Sequence, residues 1–375
     1  MRIAQLAPLF EAVPPLLYGG TERVVHWLTE ALVKKGVDVT LFASGDSQTS
    51  AELVPMCKRA LRLDGSIKDA NAVHCVEVEE MFRRSSQFDV VHAHIDYAPF
   101  ARFRQMKTPS LTTMHARVDS PEMKIIFNEF KEQNMVSISK SQQSFRPEAN
   151  WVGTVYHGLP IDMYEFQAHS DDYLLFLGRI CREKRVDLAI EIARRAGMHL
   201  KVAAKVDPAD RQYFEKEIKH LLELPWVEYI GEANDAEKQE LLGHARALLF
   251  PIDWPEPFGL VMIEAMACGT PVIAFNRGSV SEIIEPGVNG FVCENVSSAA
   301  EAVACLDQIS RYKCRRQFES KFTSERMADG YLCIYKTLIE QSNGKRSILV
   351  PKVFASPRSL NSEPLKESEP RRSAF

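Results

Sequence analysis

The chain has 375 residues and a mass of 42.4 kDa, about two and a half times the usual domain length, so two domains of similar size are expected. Apolar residues at 45%, charged residues at 26%, and 18 Gly with 20 Pro exclude collagen-like, wholly disordered and disulfide-scaffold classes. With 46 basic against 50 acidic side chains the net charge is -4, too balanced for nucleic-acid binding to be the default.

The start, 1–8, reads as a first strand and not as a signal peptide, because its apolar run is short and Glu11, Pro14 and Pro15 keep it from extending. A helix is predicted over 21–35, with Val24, Val25, Leu28, Leu32 and Val33 on one face, stopped by Gly36 before a strand over 37–43. Further strands are expected at 90–95, 110–114 and 135–139, and Ser120 with Pro121 marks a helix start as cap and first-turn proline. After 154–159 the chain turns polar, and the domain boundary is expected at 165–172. Alternation then restarts: strands at 173–177, 200–204, 227–230, 247–251 and 271–275, and helices at 186–196, 208–224, 235–245, 260–268 and from 299 onward. The class is therefore α/β, two doubly wound halves of about 165 residues, with a ligand where the carboxyl ends of both strand sets converge.

The expected divisions are a first Rossmann-like domain over 1–168, a second over 169–323, a helix within 324–343 carrying Met327, Tyr331, Tyr335 and Leu338 at helical spacing that is expected to cross back onto the first domain, and a tail over 344–375. The tail holds six Ser, four Pro and seven Lys or Arg against three Glu; it is expected to be disordered, and its +4 leaves -8 on the rest. It reads as an inert extension, with contact to a membrane surface as the alternative. No stretch approaches 18 apolar residues, so no membrane span is expected. Eight scattered cysteines without a C-x-x-C pair point to reduced thiols and a cytoplasmic setting.

The most informative segment runs from Pro255 to Pro271. It comes after a buried strand, turns through Pro255, Pro257 and Gly259, and opens a helix whose first N–H groups lack internal partners. Such an end, with Gly259, Leu260 and Val261 at its start, suits a diphosphate. Glu264, a turn further in, can accept two bonds from a ribose diol, and Glu256 points beyond the phosphates. At the end of the strand 173–177, Arg179 can fork onto phosphate oxygens and Lys184 can act as a point charge.

Glu256 and Glu264 at E-x7-E spacing, Gly178-Arg179 with Lys184 five residues on, and Gly269-Thr270-Pro271 with Gly278 and Glu282 closely resemble the retaining glycosyltransferases of family 4. So do Tyr18-Gly19-Gly20-Thr21-Glu22-Arg23 and His157-Gly158-Leu159-Pro160, and the likeness covers about residues 1 to 340. The resemblance implies the GT-B fold, two Rossmann-like domains facing across a cleft. It implies a hexosyltransferase that needs no cofactor, with a nucleotide-sugar donor, UDP-hexose or GDP-mannose, and a lipid-linked or growing-glycan acceptor. Arg179 and Lys184 would neutralise the diphosphate, Glu264 hold the ribose and Glu256 the sugar hydroxyls, with Gly19 and Gly20 approaching from the other domain. His115 would position the sugar or relay a proton; its alternative is a satisfied strand-end histidine.

No metal is signalled, since no D-x-D occurs; His92 and His94 could be read as a metal pair, but packing at the cleft is the better reading. Arg185 stands where the family has Gly, narrowing the phosphate loop or adding charge, and His157 replaces the usual Asn. Arg117 and Asp119 are acceptor candidates. Arg102, Arg104 and Lys107 with 124–127 suit an ordinary solvated surface, with peripheral membrane contact, on the cytoplasmic face of the inner membrane, as the alternative. A sugar-nucleotide epimerase or hydrolase of the same fold, and a non-catalytic sensor, are the competing functions.

Overall fold

Runs of Val, Ile, Leu and Ala that are buried along their length, such as Ala247–Phe250 and Val272–Phe275, become inner strands covered on both faces. The computed structural model describes residues 1–16 and 19–344 and arranges them around two parallel sheets. The first holds β1 (Arg2–Leu6), β2 (Asp38–Ser44), β3 (Glu52–Cys57), β4 (Val90–Ala93), β5 (Ser110–Thr113), β6 (Met135–Ser137) and β7 (Trp151–Thr154), ordered β3-β2-β1-β4-β5-β6-β7. The second holds β8 (Tyr173–Arg179), β9 (His199–Lys205), β10 (Val227–Gly231), β11 (Ala247–Phe250), β12 (Val272–Phe275) and β13 (Gly290–Cys293), ordered β10-β9-β8-β11-β12-β13.

Strand order reverses between β1 and β4 in one sheet and between β8 and β11 in the other. Loops leaving such neighbouring strands diverge and leave a crevice at their carboxyl ends. Here the β1 loop carries Gly19 and Gly20, the β8 loop Lys184, and the β11 loop Trp254, Glu256 and Gly259.

The last described helix, Ser324–Ser342, comes after the second sheet in sequence but packs on the first. Its fully buried Tyr331 and Tyr335 place their hydroxyls 2.8 Å from Thr113 Oγ1 and 2.7 Å from His92 Nδ1. Lys35 pairs with Asp329 at 2.7 Å along its exposed side. At its entry, Gly158 lies against the backbone of Thr323, where a Cβ would come within 2.1 Å of the carbonyl oxygen. That approach requires glycine.

Several elements differ from the sequence reading. Over 208–224 the chain is helical from Pro208 to Leu221 but not as one regular α-helix: short 3-10 turns flank one α turn and a π turn at Phe214–Ile218. Ser120 precedes the helix Pro121–Glu129, but its side chain accepts no bond from the helix amides. Strands β3 and β13 and the helix Ala70–Arg84 carry no clear period: β3 is a half-exposed edge containing Pro55, and the helix buries Glu77 beside Val78 and Met81. Arg102 pairs with Glu79 at 2.7 Å, Arg104 with Glu132 at 2.7 Å and Glu129 at 2.9 Å, and Phe127 is buried, while Ile125 of the surface considered for membrane contact stays exposed. Among the described residues no helix is long and apolar enough to cross a membrane. Tyr18 and, apart from Gly344, the tail lie outside the described residues.

Because Tyr331 ties the terminal helix to β5, Tyr331→Ala is expected to cost about 3–5 kcal/mol, the range for losing a buried aromatic ring. Urea denaturation checks this, and an unchanged midpoint would contradict the packing described.

Candidate functional site

The site is built around one helix end. Gly259 adopts φ +82° and precedes the helix Leu260–Cys268, which is buried nearly throughout. A Cβ at Gly259 would meet Met262 Cε at 2.8 Å and the Phe250 ring at 3.2 Å, so only glycine brings the chain this close to the strand it leaves. The loop before it is clamped from behind: Ser279 donates its N–H to the Glu256 carbonyl at 3.0 Å and its hydroxyl to the Phe258 carbonyl at 2.7 Å.

Cations come from the β8 loop. Lys184 forms an ion pair with Glu256 and stands 5.1 Å from the centre of the Trp254 ring and 5.3 Å from that of Phe250. Trp254 donates its indole N–H to Glu256 Oε2 at 2.9 Å. Arg179 lies between Asp207 at 3.3 Å and Asp210 at 3.7 Å, with Glu183 at 3.8 Å. Arg185 holds the left-handed conformation, φ +54°, that favours glycine there, and points to Asp187 (2.8 Å) and Asp253 (3.2 Å). It is absent from the main cavity wall, which Arg179 lines.

The opposite wall carries His94, His115 and His157, with His92 buried behind them in the same row of imidazoles. His92 and His94 lie tilted to one another at 4.0 Å between ring centres, His94 Nδ1 lies 2.9 Å from His115 Nε2, and His115 stacks on His157 at 5.2 Å. His157 meets the edge of Phe258 from the donor-side loop at 4.8 Å. Desolvation lowers His92, His94 and His157 well below the ordinary histidine range and takes His115 down to about 3. All four are therefore neutral near pH 7, and this wall offers hydrogen bonds without charge. His92 is not half of a metal pair: its two nitrogens are engaged by Tyr335 and by Thr113 Oγ1, each at 2.7 Å.

Between the walls lies a cavity of about 700 Å³ lined by His115, Arg179, Lys184, Glu256, Gly19, Gly20, Gly259, Leu260 and Val261. Glu264 lines an adjoining pocket of about 160 Å³ that shares Gly19, Gly20, Leu260 and Val261 with it, and accepts a bond from the Tyr164 hydroxyl at 3.3 Å. The sequence reading missed two features. Trp254 lies beside the motif, but nothing in the residue order shows where its indole points. Asp96 lines the cavity after β4 at φ +49°, and desolvation raises its carboxyl to about 6; this backbone strain is invisible to pattern reading.

Polar and cation–ring contacts also cross between the two halves. Glu282 accepts the N–H groups of Lys140 at 2.8 Å and Ser141 at 2.7 Å and the Tyr156 hydroxyl at 2.9 Å. Arg23 pairs with Asp235 at 2.8 Å. Arg117, bonded to Asp119 at 2.8 and 2.6 Å, lies 5.6 Å from the Trp254 ring centre on the donor-side loop.

This geometry agrees with comparisons to known proteins. A family model described as "Glycosyl transferases group 1" matches residues 165–321, and one described as "Glycosyltransferase Family 4" matches residues 18–141. The chain belongs to glycosyltransferase family 4. This glycosyltransferase is 25% identical to glycogen synthase of Mycobacterium tuberculosis, over 83% of its own length and 88% of the relative's. It is 24% identical to phosphatidyl-myo-inositol mannosyltransferase of Mycobacterium leprae, over 82% and 87%. Its fold is GT-B. It matches sucrose-phosphate synthase of Thermosynechococcus elongatus with a TM-score of 0.74, 17% identity and coverage of 91% and 100%. It matches the Anabaena protein HepE, solved in complex with UDP and glucose, at 0.68, 16% identity and coverage of 90% and 99%.

Burial of His115 ties the glycosyltransferase's stability to acid. The unfolded chain protonates this imidazole below about pH 6.5 while the folded chain does not. Its stabilisation is thus complete above about 6.5 and is lost as pH falls toward 3, at about 1.4 kcal/mol per pH unit. The unfolding free energy of the wild type minus that of His115→Gln should fall with that slope between about pH 6 and 5 in urea titrations. A pH-independent difference would contradict it.

Proposed function

We propose that this glycosyltransferase moves a hexose from a nucleotide sugar to an acceptor hydroxyl with retention of anomeric configuration, using basic side chains and helix amides in place of a metal. One observation carries the reading: cations, a helix start and two carboxylates on one wall share a single cleft with a glycine turn and neutral imidazoles on the other. An anionic diphosphate fits the first wall, where the Leu260–Cys268 dipole and N–H groups add to Lys184 and Arg179. Glu264 sits where a ribose diol attached to that diphosphate would reach, in the adjoining pocket.

In the reaction the acceptor oxygen attacks the anomeric carbon from the leaving-group face while the bond from that carbon to the diphosphate oxygen breaks. The acceptor proton passes to the departing diphosphate, so no protein nucleophile is consumed. Lys184 and Arg179 stabilise the charge that develops on the leaving group, the largest electrostatic demand of the step. Glu256 orients the sugar hydroxyls, and neutral His115 contributes a hydrogen bond near the reacting carbon.

Donors of the UDP-hexose or GDP-mannose type are proposed. UDP and glucose occupy the Anabaena neighbour, and a mannosyltransferase stands among the relatives. A growing glycan or a lipid-linked acceptor, met at the cytoplasmic face, completes the proposal; the eight free thiols suit a reducing compartment.

Purified protein given UDP-glucose, UDP-galactose or GDP-mannose should release nucleoside diphosphate faster with an acceptor than without. Equal rates would favour hydrolysis, and binding without release would favour a sensor. Lys184→Ala and Glu264→Ala should each weaken nucleoside diphosphate binding about ten- to a hundredfold, the worth of a bond to a charged group. Calorimetric affinities equal to wild type in both variants would overturn the site assignment.

A further inference from the structure

We propose that Trp254 is the positioning residue that keeps Glu256 aimed at the transferred sugar when the donor diphosphate draws Lys184 away. The inference rests on the nucleotide-sugar reading and adds a residue to it.

Glu256 is only 8% exposed, and among the described residues its carboxylate has two donors, Lys184 and the indole N–H of Trp254. Both bonds go to Oε2. In the proposed reaction Lys184 has a second claimant, because a diphosphate carries more negative charge than one carboxylate and draws the ammonium toward the helix start. A buried carboxylate stripped of its cation is costly unless another donor remains. Trp254 supplies that donor, at 2.9 Å, from a ring too rigid to move with Lys184. The same ring faces Lys184 at 5.1 Å, so the cation can shift along an aromatic surface without being released to water.

Trp254 is itself held from across the cleft. Arg117, fixed by Asp119, lies 5.6 Å from its ring centre. The loop that bears Glu256 is held from behind by Ser279, whose neighbour Glu282 reaches the first sheet. Closure of the two sheets and the direction of Glu256 are thus coupled through one indole.

The test uses the full chain with Trp254→Phe, which keeps a ring face and removes the N–H, and Trp254→His, which keeps a ring N–H. Turnover is read as UDP release from UDP-glucose or GDP release from GDP-mannose, and UDP and GDP affinity by calorimetry. Trp254→Phe is expected to lower kcat about tenfold or more while nucleoside diphosphate affinity stays within about threefold. Trp254→His should regain part of that loss, and in a Glu256→Ala background Trp254→Phe should change nothing further. If Trp254→Phe fails to fold, the same cycle with Trp254→His decides, expected to give a smaller kcat loss that also vanishes without Glu256. Wild-type kcat in the Trp254 variants, or an equal loss with and without Glu256, would overturn the inference and leave the donor site standing. Wild-type turnover in Glu256→Ala would overturn the donor-site reading, and this inference with it.

Discussion

The two passages of chain between the sheets are bonded to each other, and the cleft depends on that junction. Leu159 donates its N–H to the Phe322 carbonyl at 2.9 Å and accepts the N–H of Ser324 at 2.8 Å. Gly158 gives the Thr323 backbone room to lie against it. Side chains continue the joint: Phe322 and Phe258 are 6.2 Å apart between ring centres, and Phe258 borders the donor-side loop. Both sheets meet at this hinge with their carboxyl edges opposed, and every element of the site lies on one edge or the other. A terminal helix buried on the first sheet through Tyr331 and Tyr335 then prevents the halves from separating as independent bodies.

The walls so opposed differ in electrostatic character. The second sheet brings Lys184, Arg179 and the first amides of a helix, all suited to phosphate. The first brings the desolvated imidazoles of His94, His115 and His157, backed by buried His92, and all stay neutral because burial disfavours their charged form. On the proposed reading, a cationic wall facing a neutral, hydrogen-bonding one would separate two tasks, holding a leaving group and orienting a sugar, without a second positive centre near the reacting carbon. Glu282 makes the separation mechanical as well as electrical: its carboxylate crosses the cleft, and the nearby Ser279 braces the loop of Glu256.

Much of this was legible in the residue order. Strands buried on both faces announce themselves as apolar runs, and the helix Leu260–Cys268 is bounded by Gly259 and Gly269, both at positive φ. The E-x7-E spacing places Glu256 before that helix and Glu264 within it, which needs only helical geometry. Features that depend on tertiary contact were not legible. Glu77 puts a carboxylate on the buried face of the helix Ala70–Arg84 and so interrupts its apolar pattern, while Pro55 disguises an edge strand. Arg185 reads in sequence as an added cation at the phosphate loop, yet Asp187 and Asp253, one of them distant in sequence, turn it aside. The imidazole row joins His92, His94, His115 and His157 from three separate segments, and no spacing rule links those positions. The direction of an indole ring is likewise set by its neighbours, so Trp254 emerged only from the fold.

The central claim is that one diphosphate is held between the two sheets. Hydrogen exchange, measured segment by segment with and without the nucleoside diphosphate that binds, addresses it directly. The account predicts that ligand slows exchange together at the start of the helix Gly20–Lys34 and at the start of Leu260–Cys268, although the two lie on opposite sheets. Protection confined to either segment alone, with the other unchanged at saturating ligand, would contradict it.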